Sequence, residues 1–391
     1  MPHPRKPARP ERHDVPTPPL GFRTSRWLAA GVPWFAPFTA IAATMTVLAL
    51  AISGPDLTDT ADRILAAADW TQPHTWAALL LKLGASGLSF LPVAVAGHLA
   101  YGMAGRPALV PGLLGGMAAL GVQGGILTGL LAGLLAGAAT MALQRIPVPS
   151  ALRDLASTAL IPLLATLLTA AVIIAFAGEQ LTALTGWLHG KLVWLEFHHL
   201  VLAGVVLGVM VCCDLGGAIG KSAIAFGTVG VSGFDPSKFN PTDMTMMAAV
   251  VAAGMVPPLG LSLATLVRRK VFTGSERAYG KVAWLFGAAF IPEGAVPFAV
   301  ADPLRVIPAG MAGGAVTGAL VMAFGTTITV PYGGFLALGD MGRPLLFALA
   351  VAAGVLVTAA TAVALKTLGG QLAPSPARPA VTVRRKVSVA G

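Results

Sequence analysis

The chain has 391 residues, 55% of them hydrophobic and only 11% charged, with a formal net charge of +10. A soluble domain carries about a quarter of its residues as charges, so a soluble fold is excluded. The mean hydropathy of +0.78 and the 47 glycines indicate an all-α polytopic membrane protein, because glycine is more frequent in membrane helices than in soluble ones.

Residues 1–26 carry Arg5, Lys6, Arg9, Arg12, Arg23 and Arg26, and residues 367–391 carry Arg378, Arg384, Arg385 and Lys386. Both stretches are Pro-rich and lack apolar periodicity, so they read as disordered basic arms. Beside a membrane, such arms fit the positive-inside rule and anionic lipid better than nucleic acid, and no nucleic-acid partner is expected. Both ends are therefore expected in the cytoplasm, at the two sides of a transmembrane unit spanning 27–366. The N-terminal arm is too long for a signal peptide, and the apolar stretch behind it is of spanning length.

A spanning helix needs about 20 apolar residues. Trp27–Ser53 meets this, and an acidic loop with Asp56, Asp59, Asp62 and Asp69 follows. Thr75–Tyr101 crosses back. Leu109–Leu143 can be two short crossings with a break near Gly121–Gly125. Its Gly125, Gly129, Gly133 and Gly137 place a small residue on one helix face every turn, which permits close packing. Leu155–Ala177 crosses outward, and Leu184–His199, with Trp187 and Trp194, reads as an interfacial helix. Leu200–Cys213 returns inward. Ala218–Val231 must then cross as a broken helix, so that Met244–Val267 ends at Arg268-Arg269-Lys270 on the cytoplasmic side. Tyr279–Val300 re-enters the membrane without crossing, and Leu304–Phe324 and Leu345–Leu365 complete the set. The count is ten crossings plus one hairpin. Cys212 and Cys213 are adjacent in an apolar run and read as packing residues, not metal ligands.

Three segments break the rules for lipid-embedded chain. Phe290–Pro308 reads FIPEGAVPFAVADPLRVIP, and Pro292, Pro297, Pro303 and Pro308 prevent a straight helix. It also holds Glu293, Asp302 and Arg305, and one charge at mid-membrane costs about 2.5–3.5 kcal/mol. Asp302 and Arg305 are three residues apart and can form a structural ion pair; Glu293 has no local partner. Irregular backbone at this depth is tolerated where protein or a watery cavity surrounds it, and broken helices form substrate sites in transporters. The second segment is Asp214–Ser222, DLGGAIGKS, with glycines that allow close backbone approach and donors on Lys221 and Ser222. It lacks the spacing of a nucleotide-binding loop. The third is Val330–Gly334, VPYGG.

Together these stretches resemble the membrane subunit, enzyme IIC, of the bacterial sugar phosphotransferase system, fructose branch. CDLGGAIGKSAIAFG, from Cys213 to Gly227, is similar to that family's FDMGGPVNKAAYAFG, and VAAGMVPPLG at Val251–Gly260 to its MAAGMVPPLG. The Phe290–Pro308 stretch is similar to FITEGAIPFAAADPLRVIP, VPYGG to APHGG, and GRPALVPGLLGG at Gly105–Gly116 to DRPGLAPGMVGG. The resemblance covers residues 28–366. It implies a homodimeric permease of the bacterial cytoplasmic membrane, without cofactor. A fructose-like sugar or polyol would be phosphorylated there by a separate phosphorylated IIB protein, itself charged by IIA. Neither arm resembles a IIA or IIB domain, so the subunit alone is expected to be catalytically silent. The resemblance places sugar binding on Glu293, Gly294, Asp214, Gly216, Gly217, Lys221, Tyr332 and Gly333, with Glu293 also able to help deprotonate the attacking hydroxyl. The chain departs from the family where Pro292 replaces Thr, Gly220 replaces Asn and Tyr332 replaces His. All three fall on expected sugar-facing positions and bear on specificity. The competing readings are an uncoupled facilitator or ion-coupled transporter, and a non-transporting sensor.

Overall fold

The computed structural model describes residues 20–229 and 241–368. The two basic arms lie largely outside the described residues, as does the end of the segment expected to cross at Ala218–Val231. The described chain is helical apart from turns and one short antiparallel pair, β1 (Thr327–Ile328) with β2 (Met341–Gly342), in which Thr327 faces Gly342.

In chain order the helices are α1 (Leu20–Ser53), α2 (Leu57–Ala66), α3 (Pro73–Ala104), α4 (Arg106–Gly121), α5 (Ile126–Leu143), α6 (Arg153–His198) and α7 (Leu200–Cys213). Then come α8 (Ala218–Val229), α9 (Pro241–Val267), α10 (Gly274–Ala288), α11 (Val296–Ala301), α12 (Pro303–Phe324) and α13 (Pro344–Leu368). Among the described residues, seven helices are long and apolar enough to span a membrane: α1, α3, α5, α6, α9, α12 and α13. With the shorter α4, α7 and α8 these make ten segments, and α10–α11 is the additional hairpin. Helix α1 begins at Leu20, ahead of the expected Trp27.

The direction of each helix follows from close glycine contacts. Gly204 packs on the Gly318 carbonyl and Gly208 on the Gly314 carbonyl, so α7 runs antiparallel to α12. Gly227 of α8 packs on Met247, near the start of α9, and Gly280 of α10 on Thr265, near its end. Gly116 of α4 lies against Val93 of α3, and Gly129 and Gly133 of α5 lie against Pro92 and Ala96, so the small face of α5 docks on α3 as the four-residue glycine spacing implies. One end of the molecule carries Arg106, Arg145, Arg268, Arg269, Lys270 and Lys366; the other carries Asp56, Asp59, Asp62 and Asp69.

Two expectations are corrected. The first concerns α7 and α8. At 14 and 12 residues they span about 21 and 18 Å at 1.5 Å per residue, about half a membrane each. They form a hairpin entering from the acidic end, and neither crosses; the Asp214–Gly217 turn, whose Leu215 and Gly216 have positive φ, reverses the chain inside the protein. The second concerns Leu184–His199, which is not a separate interfacial helix. It continues α6, a 46-residue helix with no proline between Pro162 and His198 to end it, passing through π turns at Ala156–Leu160 and Ile173–Gly178. Its Trp187 and Trp194 are exposed.

The expected re-entrant segment is present. Helix α10 starts at the basic end with a capping box, in which Thr273 N–H donates to Glu276 Oε2 at 2.7 Å and Glu276 N–H donates to Thr273 Oγ1 at 3.2 Å. The chain turns at 289–295 and returns through α11 to Asp302. The remaining Glu276 oxygen, Oε1, accepts from Lys366 Nζ at 2.9 Å, and Lys366 also lies 3.8 Å from Asp302 Oδ2. Asp302 accepts from Arg305 at 2.8 Å, as the three-residue spacing implies. This buried ionic cluster fastens both feet of the hairpin to the end of α13.

Candidate functional site

Three hairpin tips converge beside Leu88 and Ser89, midway along the 32-residue α3. The α4–α5 tip brings Gly124 and Gly125, the α7–α8 tip brings Asp214–Gly217, and the α10–α11 tip brings Glu293. Each tip holds a non-glycine residue at positive φ: Gln123 at 55°, Leu215 at 46° and Phe290 at 58°. Such backbone costs on the order of 1–3 kcal/mol per residue and concentrates at functional sites.

The tips interlock through backbone. Gly125 and Gly217 are so close that a Cβ on either would lie within 2.6 Å of the other's backbone, and Ile126 N–H donates to the Asp214 carbonyl at 3.4 Å. The Asp214 carboxylate turns inward. Its Oδ2 accepts from Ile219 N–H at 2.7 Å and its Oδ1 from Gly220 N–H at 3.0 Å, filling donors of the first α8 turn that a helix leaves unpaired. Asp214 thus shapes the turn and does not line the cavity. Gly217 lies behind it against Gly125. Gly294 supports the third tip: its carbonyl accepts from the Tyr279 hydroxyl at 2.9 Å, with Phe286 alongside.

Gly216, at φ 96°, faces Glu293 directly. Glu293, Gly216, Lys221, Leu88 and Ser89 border both a small chamber of about 40 Å³ between the tips and a larger cavity of about 400 Å³. Among the described residues no side chain donates a hydrogen bond to the Glu293 carboxylate, which is half-buried. Tyr332 lines the same cavity, its ring 6.2 Å from that of Phe290. The following glycines hold this turn: Gly333 packs on Ala337 and Pro55, and Gly334 on the backbone at 288–290. Gly333 supports Tyr332 and does not face the cavity.

Of the eight residues the sequence singles out for sugar, Glu293, Gly216, Lys221 and Tyr332 line the cavity, and Asp214, Gly217, Gly294 and Gly333 hold the turns that present them. The three departures from the family pattern, Pro292, Gly220 and Tyr332, all line it. The cavity also has walls that sequence reasoning missed. Thr46 of α1, Thr58 and Asp59 of α2 and Lys82 of α3 line it on the side toward the acidic end, and Ser89 of α3 borders its floor. Lys82 and Ser89 are two turns apart on one face of an apolar helix, and that spacing was the available signal.

The arrangement offers one carboxylate acceptor and one ammonium donor at the floor of a cavity with aromatic rings beside them. That set suits a neutral polyhydroxylated ligand: hydroxyls donate to the carboxylate, ring and hydroxyl oxygens accept from the ammonium, and C–H faces pack on the rings.

No protein-family model matches the chain. It is similar to the fructose permease IIC component of Bacillus amyloliquefaciens, 38% identical over 289 residues that cover 73% of this chain and 92% of that protein. It is similar also to the fructose-like permease IIC component 2 of Escherichia coli (strain K12), 34% identical over 293 residues, 74% of this chain and 78% of that protein. With the PTS system fructose-specific EIIABC component of Bacillus subtilis (strain 168) it shares 38% identity over 289 residues, but these are 44% of that protein. The chain thus spans about half the length, or less, of the multidomain curated relatives it matches, and nearly all of the single-component permease. The chain belongs to the fructose family of phosphotransferase-system IIC permease components.

Proposed function

We propose that this chain is the sugar-translocating membrane subunit of a phosphoenolpyruvate-dependent phosphotransferase system. In this reading the 27–366 unit binds a fructose-like sugar or polyol at mid-membrane and presents it to a separate phosphorylated IIB protein, which IIA recharges. The observation that carries the reading is the half-buried Glu293 carboxylate on a re-entrant tip, without a side-chain donor among the described residues and lining a cavity of about 400 Å³. Two sugar hydroxyls donate to it, and charge-assisted bonds of this kind are the strong ones. Lys221 donates to a sugar oxygen, and Tyr332 covers a face. In the transfer step a sugar hydroxyl oxygen forms a bond to phosphorus as the bond from phosphorus to the IIB carrier atom breaks. The hydroxyl proton passes to Glu293.

The basic end is assigned to the cytoplasm of a bacterial inner membrane by the positive-inside rule, with both termini on that side. The cavity then opens outward in this conformation. A homodimer in lipid is part of the proposal; the exposed Leu163, Leu164, Leu167 and Leu168 of α6 give it an apolar surface to use. Replacing the carboxylate by Glu293→Gln tests the central assignment. Equilibrium fructose binding to the purified subunit should be lost, and an unchanged affinity would refute the role of Glu293.

A further inference from the structure

The cavity extends well beyond its Glu293 floor. Its far end is built by Thr58 and Asp59 of α2 and by Lys82 of α3. Ser89 borders the floor and Lys82 the far end, so α3 serves as a ruler: seven residues at 1.5 Å each place the two levels about 10 Å apart. Between them the wall is mainly apolar, formed by Leu50, Leu81, Ala85 and Ile224, with the uncharged Thr46 beside Gly84. The charged groups that line the cavity therefore occur at two levels, Glu293 and Lys221 at the floor and Asp59 and Lys82 at the far end. Tyr332 lines the same cavity.

The outer set is available to a ligand. Among the described residues no group donates a hydrogen bond to the Asp59 carboxylate. Lys82 pairs at 2.6 Å with Asp62, whose side chain is 82% exposed, and a solvent-exposed pair of this kind contributes little, so Lys82 can exchange it for a ligand oxygen. With the exposed Asp62 left to solvent, each level presents one carboxylate and one ammonium, which favours an uncharged polyhydroxy ligand at both ends. A single sugar ring seated on Glu293 does not bridge two levels this far apart.

We propose that Thr58, Asp59 and Lys82 form a second sugar subsite, so that the cavity accepts a neutral two-ring glycoside, one ring on Glu293 and Lys221 and the other on Asp59 and Lys82. This deepens the reading of the site as a sugar site, and rests on it for the inner ring only. The absence of a side chain at Gly220 and the proline ring of Pro292 fit it, since both lie on the cavity wall and leave the inner ring fewer polar partners.

The test is equilibrium binding of fructose, sucrose and inulobiose to the full chain in lipid nanodiscs. At least one disaccharide should bind about tenfold more tightly than fructose. Asp59→Asn and Lys82→Met should each remove that advantage, their effect falling on the disaccharide, while Glu293→Gln should weaken all three sugars. The proposal is overturned if neither disaccharide binds more tightly than fructose. It is also overturned if the outer substitutions weaken all sugars equally, which would make α2 a gate. Should Glu293→Gln leave every affinity unchanged while Asp59→Asn weakens the disaccharide, the inner assignment fails and the outer subsite stands.

Discussion

Gly216 sits so close to Glu293 that the Cβ it lacks would fall on the carboxylate. Its φ of 96° is also one that an L-residue adopts only under strain. The carboxylate therefore holds its place because the facing tip has no side chain, and the two hairpins are matched to each other at this point.

Gly216→Ala should accordingly keep the helices and lose the ligand. Displacing Glu293 from its hydroxyl partners removes a charge-assisted bond worth about 1.5–3 kcal/mol, or at least about tenfold in affinity. Fructose titration of the purified variant, with circular dichroism to confirm helix content, measures both. Wild-type affinity in a folded variant would show that the carboxylate can reach the sugar from another position.

The feet of the same hairpin depend on Lys366. Its ammonium is 7% exposed, bonded to Glu276, which is 2% exposed, and lies 4.8 Å from the centroid of the Phe272 ring. Lys366→Met leaves the Glu276 carboxylate buried without its cation, and breaking one side of a buried pair costs about 3–5 kcal/mol. A lower melting temperature in detergent is expected. Adding Glu276→Gln should recover much of the loss, because the uncompensated charge is then gone. A double variant no more stable than the single one would place the loss in packing instead.

The glycine seam between α7 and α12 predicts a contrast between two positions. A Cβ on Gly318 meets the Gly204 carbonyl, whereas one on Gly186 of α6 meets nothing within 4 Å. Gly318→Leu should force the helices apart, at a cost of at least about 1–3 kcal/mol for an overpacked interface. Gly186→Leu should be neutral. Thermal melting compares them directly, and equal melting temperatures would mean that the seam is not tight in the membrane.

Much of this site could be read from sequence because lipid penalises what it contains. Glu293 among prolines, the paired glycines before Lys221, and the Asp302–Arg305 spacing are anomalies at membrane depth, and each marks a hairpin tip or foot. The α4–α5 tip was legible only as a break, since Gly124 and Gly125 carry no polar side chain to mark a site. Lys366 and Glu276 are ninety residues apart, so no local pattern joins them. Asp59 looked like an ordinary loop charge, and nothing local joined it to Lys82 inside the Thr75–Tyr101 stretch, because only folding brings α2 over the cavity. The reversal between α7 and α8 was missed for a related reason: charge counting fixes which side a loop ends on, but not whether a short apolar segment crosses or turns back.

That last distinction yields a prediction about access. If α7 and α8 are two halves of a hairpin entering from the acidic end, Lys221 is reached from that side, through the cavity, and not from the basic end. In a background of Cys212→Ala and Cys213→Ala, single cysteines at Asp69, Lys221 and Lys270 separate the alternatives. In intact cells a membrane-impermeant maleimide should label Asp69→Cys rapidly and Lys221→Cys more slowly, because the cavity narrows toward the tips. Lys270→Cys should react only after permeabilisation, since the proposed orientation puts its basic triplet at the cytoplasmic end. Two crossing helices would instead put residue 221 near the cytoplasm, where it would share the behaviour of residue 270. Labelling of Lys221→Cys only in permeabilised cells would therefore overturn the hairpin, and with it the outward-opening cavity.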